Sequence, residues 1–298
     1  MKNIYVHQHS RLGDMILCNA LIRILSKKYN NYYLNLFCRS KHLKIIKFMY
    51  RDNKKIKLIP LRENRKLLDE KLLMKYEGKF VEKYIIKNNI KKNDLISIGF
   101  ENYEKIKNLN KDKKNQWPCD IIFYKQFNIP FKKRFSKAYW KRNKESEKKL
   151  YKKLIKKGEK FTFVHDDPKR NIYLKNNLFN KNIKKIIRND IKRNIFDYSL
   201  ILEKADEIHI MESSIRQIIE VLNIKSKKIF LYKGRGGEHD ASLYNDRLKK
   251  YVGTSKKWKI IKNGIVNKKL KKNIFEKFKN KIQRSNQKLI YLRSIKNL

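Results

Sequence analysis

Apolar residues along this chain recur in two rhythms that take turns. Asn3 to His7 read as a short strand, His9 to Asp14 form a polar loop, and Met15 to Tyr29 repeat apolar pairs at Ile16/Leu17, Ala20/Leu21 and Ile24/Leu25. That four-residue recurrence predicts a helix. Tyr32 to Cys38 predicts a second strand, His42 to Tyr50 a helix, Lys55 to Ile59 a third strand closed by Pro60, and Arg62 to Tyr76 another helix; Leu95 to Phe100 is a further apolar run. Strands alternating with helices point to parallel crossovers and a mostly parallel sheet covered on both faces.

The alternation then pauses and restarts. Asn108 to Asn115 is polar and charged, and Trp117 to Trp140 is irregular and aromatic with Pro118 and Pro130, as expected of an interdomain connection. A helix over Glu145 to Lys157 ending at Gly158 follows, then a strand at Lys160 to His165, the polar turn Asp166 to Arg170 and a weak strand at Lys184 to Ile187. Phe196 to Lys204 predicts a helix, Glu207 to Met211 a strand, Ser213 to Leu222 a helix with Ile215, Ile218, Ile219 and Leu222 on one face, and Lys228 to Tyr232 a strand. After Gly234 to Gly237 the pattern weakens until Trp258 to Ile261, and Asn267 to Ile282 reads as a basic terminal helix. The expected fold class is α/β, with two Rossmann-like doubly wound domains facing a cleft: residues 1–120, a connection at 121–143, and residues 144–298. The 298 residues suit two domains. Ligands of such sheets bind outside the carboxyl ends of the strands.

Composition bears on partners more than on fold. Hydrophobic residues make up 41% and aromatics 12%, enough for a core beneath a surface fed by 35% charged residues. The 77 basic and 28 acidic residues leave a net charge of +49. Such a surplus attracts nucleic acid, anionic lipid or phosphorylated small molecules. Yet 61 of the 77 are Lys, accompanied by abundant Asn and Ile, all three with A/T-rich codons, so genome drift is a competing source and charge alone assigns nothing. The longest run free of Asp, Glu, Lys and Arg is ten residues, Tyr29 to Cys38. A membrane-spanning helix needs about 20. Met1 to Val6 lead into a strand with no signal-peptide pattern, so a cytoplasmic protein is expected. Cys18, Cys38 and Cys119 have no metal or disulfide spacing and read as reduced, buried thiols.

Three strand-end clusters carry candidate chemistry. In His9-Ser10-Arg11-Leu12-Gly13-Asp14, Gly13 permits close backbone approach, Arg11 suits a phosphate or carboxylate, and Asp14 stands where a helix begins. Helix capping is the competing role for Asp14. In His165-Asp166-Asp167-Pro168-Lys169-Arg170, His165 suits a sugar hydrogen bond or a base, and Lys169 and Arg170 suit a diphosphate. Adjacent Asp166 and Asp167 lack the D-x-D spacing of a metal site; a turn before Pro168 is the alternative. In Glu212-Ser213-Ser214, the serines offer hydroxyls and backbone N–H groups to an anion, with capping again the competitor, and Glu212 suits ribose or sugar hydroxyls. Gly234-Arg235-Gly236-Gly237 is a weaker candidate for backbone approach to a ligand, or a flexible turn. The motifs of dinucleotide-binding folds, P-loop NTPases, α/β-hydrolases and zincins are absent.

Asn3 to Leu25, reading NIYVHQHSRLGDMILCNALIRIL, resembles the opening of the ADP-heptose:lipopolysaccharide heptosyltransferase family, glycosyltransferase family 9, with its strand, Leu-Gly-Asp loop and helix. The stretch ADEIHIMESSIRQIIE, ending at Glu220, resembles that family's donor loop: Glu212 and Ser213 stand at its Asp and Ser/Thr, while Ser214 and Ile215 replace Gly and Pro. The resemblance implies a GT-B fold, acceptor on the first domain, nucleotide-sugar on the second, no catalytic metal and no cofactor, with Asp14 at the position of the proposed general base. It carries over the reaction class rather than the substrate.

The expected protein is therefore a metal-independent, heptosyltransferase-like glycosyltransferase, moving a sugar from a nucleotide-diphosphate donor to a saccharide or glycolipid acceptor. Acceptor-side residues are His9, Arg11 and Gly13; donor-side residues are His165, Lys169, Arg170, Glu212, Ser213 and Ser214. Its basic surface suits peripheral contact with anionic lipid at the inner membrane face, where each well-placed Lys contributes about 1 kcal/mol. Two other readings stay open: a basic nucleic-acid-binding protein, though no RRM, KH or zinc-finger signature appears and nonspecific contact is all that the charge implies, and a GT-B-like binding module without catalysis.

Overall fold

The computed structural model describes residues 1–62, 64, 67, 69–99, 119–168, 172–232, 244–245, 250–251, 253–261, 265–267 and 286–296. The Asn108 to Asn115 stretch, Lys169, Arg170, the Gly234 to Gly237 turn and all but the first residue of the basic helix expected over Asn267 to Ile282 lie outside the described residues.

The first half opens with β1 (Lys2–Gln8), α1 (Leu12–Leu17), α2 (Asn19–Lys28), β2 (Tyr32–Arg39), α3 (Leu43–Tyr50), β3 (Ile56–Leu61), α4 (Glu70–Lys87) and β4 (Leu95–Ile98). Its strands form one sheet in the order β3-β2-β1-β4, parallel throughout. The helix expected over Met15 to Tyr29 is two helices divided at Cys18, and Asn19 at the break accepts the Tyr139 N–H on Oδ1 at 2.8 Å. Pro60 does not close β3 but lies within it, in register with Cys38; β3 is a sheet edge, where a residue without an N–H costs little. The helix expected from Arg62 starts only at Glu70, because Asp69 caps it by accepting the Leu72 N–H at 2.9 Å.

The connection is more ordered than its aromatic irregularity suggests. It holds α5 (Cys119–Lys125) and the short α6 (Lys133–Lys137). Ile121, Ile122, Phe123 and Tyr124 are all buried, so α5 shows no polar face to reveal its period, and the Tyr124 hydroxyl donates to the Leu17 carbonyl at 2.9 Å.

The second half runs α7 (Lys144–Leu154), β5 (Phe161–His165), β6 (Ile172–Leu174), β7 (Lys185–Arg188), α8 (Ser199–Lys204), β8 (Glu207–Met211), α9 (Ser214–Ile219), β9 (Lys228–Tyr232), β10 (Tyr244–Asn245), β11 (Lys250–Tyr251), β12 (Lys259–Ile261) and β13 (Ile265–Asn267). A second parallel sheet has the order β12-β9-β8-β5-β7. Two small antiparallel pairs, β13 with β6 and β10 with β11, have no counterpart in the apolar rhythm. The chain is thus α/β with two parallel sheets flanked by helices.

Strand order reverses between β1 and β4 in the first sheet and between β5 and β8 in the second. Those reversals are where doubly wound sheets open a crevice at their carboxyl ends. The halves share one core: Phe48 of α3 stacks on Phe196 at 5.5 Å between centroids, and Trp140 from the connection meets Phe196 at 4.9 Å. The final helix, α10 (Gln287–Lys296), returns to the first half and packs on α4, with Ile290, Tyr291 and Ile295 against Leu67, Leu73 and Tyr76. Among the described residues, no helix is long and apolar enough to cross a membrane.

Candidate functional site

Both reversal points carry the clusters read from sequence, and the helices that follow them meet. α1 packs on α9, and a Cβ built on Gly13 would stand 3.9 Å from the Cα and backbone nitrogen of Ser214. Here the segment after β1 meets the segment after β8.

On the first side, Asp14 is not the N-cap. Arg11 holds the cap position with extended backbone (φ −66°, ψ 142°), and Asp14 lies in the first turn. A carboxylate there gains about 0.3–1 kcal/mol from the helix dipole. Its Oδ2 lies 3.8 Å from His9 Nδ1, with the two side chains 25% and 22% exposed. His9 is set edge-on against Phe123 of α5, with centroids 5.1 Å apart. Behind it, Gly99 at the end of β4 adopts φ +88°, and a Cβ there would come within 2.7 Å of His9 Nε2. Glycine is therefore required twice over at this position, by backbone conformation and by space.

The same loop is anchored from below. The Ser10 hydroxyl donates to Glu77 Oε2 at 2.6 Å, and Arg39 Nε donates to Glu77 Oε1 at 2.5 Å, with all three residues buried. A buried ion pair of this kind fixes geometry more than it adds stability. Burial, followed by the nearness of His9, pushes the His7 pKa down to about 4. Gln8 ends β1 on the face of Ile4 and Val6, 1% exposed, and neither atom of its amide has a hydrogen-bond partner among the described residues.

On the second side, His165 ends β5 with Nδ1 2.7 Å from Asn189 Oδ1. Asp166 is committed elsewhere: it accepts the Leu174 N–H at 2.8 Å and pairs with Arg188. Glu212 accepts from Arg216 Nη1 with both oxygens, at 2.9 and 2.8 Å. Its side chain is a quarter exposed, yet burial of the carboxylate raises its pKa against the pull of Arg216. Arg216 is 1% exposed and also faces Glu220, which accepts from Thr254, Ser255 and Trp258. Ser213 occupies the N-cap of α9 without making a side-chain cap bond, and its Oγ is buried with no partner among the described residues. Leaving such a hydroxyl unpaired costs about 1–3 kcal/mol. Ser214 forms the first residue of α9, beside Gly13.

The structure therefore brings Gly13, Ser214 and their neighbours Asp14 and Ser213 to one junction, with His9 beside Asp14. Arg11 stands at the start of α1 and His165 at its own strand end, while Lys169 and Arg170 lie outside the described residues. Sequence reading missed Gln8, Gly99 and the Ser10–Glu77–Arg39 anchor. Only Gln8 left a signal, as a polar residue continuing the alternate apolar positions of Ile4 and Val6.

At the level of sequence, no family model and no curated protein matches the chain. Solved structures are similar to it. A glycosyltransferase family 9 protein from Veillonella parvula aligns over 87% of this chain and 85% of its own, with a TM-score of 0.53 and 12% identity. The ADP-heptose lipopolysaccharide heptosyltransferase II of E. coli aligns over 88% and 90% with a TM-score of 0.49 and 9% identity. The E. coli heptosyltransferase WaaC with ADP-2-deoxy-2-fluoro heptose aligns over 95% and 100%, with a TM-score of 0.42 and 9% identity. The first likeness shows that the chain has the fold of a family 9 glycosyltransferase, as the resemblance of Asn3 to Leu25 implied.

Proposed function

We propose that the protein transfers a glycosyl group from a nucleotide-diphosphate sugar to a saccharide or glycolipid acceptor. The observation that carries this reading is the junction of α1 with α9 at Gly13 and Ser214, formed where both strand orders reverse, with a carboxylate on one side and an unpaired hydroxyl on the other. Residues 1–120 form the acceptor side, 144–298 the donor side with α10 returned to the first, and 121–143 the connection. His9, Arg11 and Gly13 shape the acceptor side.

Asp14 acts as general base. It takes the proton of an acceptor hydroxyl as that oxygen bonds to the sugar's anomeric carbon, while the anomeric carbon–phosphate oxygen bond breaks and the diphosphate leaves with the electron pair. His9 Nδ1 stands 3.8 Å from the Asp14 carboxylate. Ser213 Oγ donates to a phosphate oxygen, Ser214 adds its hydroxyl, and Lys169 and Arg170 supply positive charge against the leaving group. His165 and Glu212 take sugar or ribose hydroxyls. No metal or cofactor has a role in this reading.

A thermal-shift screen against nucleotide-sugars and free nucleoside diphosphates, followed by a transfer assay with whichever donor binds, tests it. A nucleotide-sugar should raise the melting temperature by several degrees and be turned over. Stabilisation without turnover on any saccharide acceptor would make the protein a binding module, and no response to any nucleotide would overturn the reading.

A further inference from the structure

We propose that the outward face of α10, together with the lysine row of α4 beneath it, docks on an anionic lipid surface. The inference does not rest on the transfer reading. α10 is held in one rotation about its axis: Ile290, Tyr291 and Ile295 pack on α4, the Asp69 N–H donates to Gln287 Oε1 at 3.3 Å, and Asn64 bonds Ser294. Leu289, Leu292, Arg293 and Lys296 recur at the spacing of one helical stripe and are all exposed, the two leucines at 47% and 45%.

α4 adds charge at a regular interval. Lys71, Lys75, Lys79, Lys83 and Lys87 are spaced four apart and all exposed, and Ile86 is 74% exposed among them. Lys83 Nζ donates to the Ile295 carbonyl at 3.4 Å, which ties the row to the end of α10. Glu82 is the exposed carboxylate of the row and is already paired with Lys79. Seven large apolar side chains are more than about a third exposed among the described residues, and three of them, Ile86, Leu289 and Leu292, sit on this helix pair. Cations beside exposed aliphatic side chains suit an interface of lipid headgroups and acyl chains. A nucleic acid would instead gain from exposed aromatic faces, and Tyr76 and Tyr84 are turned toward the core, with Tyr291 packed against α4.

Co-sedimentation of the full chain with vesicles tests the proposal. Vesicles with about 30 mol % phosphatidylglycerol should bind it at least roughly tenfold better than pure phosphatidylcholine. The double variant Leu289→Asp/Leu292→Asp should lower that partition by about tenfold with an unchanged melting temperature. Lys75→Gln/Lys79→Gln/Lys87→Gln should lower it further than Lys148→Gln/Lys149→Gln/Lys152→Gln, which removes the same charge from exposed positions of α7. Equal losses for the two lysine sets would overturn the proposal by making binding a matter of net charge. An unaffected leucine variant would overturn it too, as would tighter binding of single-stranded RNA that the same variants abolish.

Discussion

The loop after β1 and the loop after β8 hold equivalent places in their sheets and treat charge in opposite ways. After β1, the buried ions lie beneath the loop, where Glu77 accepts from both Ser10 and Arg39, and Asp14 is left partly exposed with a histidine as neighbour. After β8, the carboxylates themselves are gripped: Glu212 and Glu220 flank the guanidinium of Arg216, and Glu220 also receives a threonine, a serine and a tryptophan donor. One loop spends its ions on anchoring and leaves a partly exposed carboxylate at the junction. The other uses carboxylates as architecture and leaves a hydroxyl. The junction therefore sets an ionisable carboxylate on one side against a hydroxyl on the other.

Substitution at Asp14 is the strongest way to break the comparison. Asp14→Asn should lower the transfer rate by about two to four orders of magnitude while shifting the melting temperature little, since the lost dipole interaction is worth about 0.3–1 kcal/mol. Near-normal turnover would reduce both loops to scaffolding. Arg216→Met should do the reverse. Leaving Glu220 buried without its cation costs about 3–5 kcal/mol, seen as a fall in melting temperature of roughly 10 °C, and Glu212→Gln should cost less because that side chain reaches solvent. If Glu212→Gln is the more damaging, the locked carboxylate is not the structural one.

The two halves should also share a sensitivity to acid. His7 is held at about 4 by burial, and burial lowers His209 as well, against the pull of Glu207. An unfolded histidine titrates near 6.5, so the unfolded chain gains protons first, and stability is full above about pH 6.5 and lost as pH falls toward 4. For His7 the loss is about 3 kcal/mol at most. Urea unfolding at pH 7 and pH 5 should show it, and His7→Phe should shrink the difference. The smallest effect sharpens the picture most: Ser213→Ala should weaken binding of a nucleoside diphosphate by about 0.5–1.5 kcal/mol, leave nucleoside binding unchanged and slightly raise stability, because it removes an unpaired buried hydroxyl. A fall in both binding and stability would mean that Ser213 serves the fold.

Much of the scaffold was legible because burial imposes rhythm. β8 is buried at every position, β2 at all but its first two and β1 over most of its second half, so their apolar residues mark where the strands run. What escaped has physical causes. α5 is buried from Asp120 to Tyr124 and so shows no period, Pro60 reads as a terminator because edge position cannot be read from one strand, and the pairing of β6 with β13 joins segments about 90 residues apart. At the site, residue types and strand ends were legible, whereas their uses were not. The i,i+4 spacing of Glu212 and Arg216 is compatible with their pairing, but nothing in the order Glu212-Ser213-Ser214-Ile215-Arg216 tells that Ser213 is left without a bond among the described residues.

The return of α10 to α4 also has a meaning in time. About 200 residues separate the end of α4 from the start of α10, so at synthesis rates of about 5–20 residues per second the face formed by Leu67, Leu73 and Tyr76 waits roughly 10 to 40 s for its cover. The first half emerges from the ribosome with an apolar groove beside its lysine row, and that groove closes only after the second sheet has been made. A nascent chain stalled before Gln287 should therefore be the stage at which this protein associates most readily with chaperones.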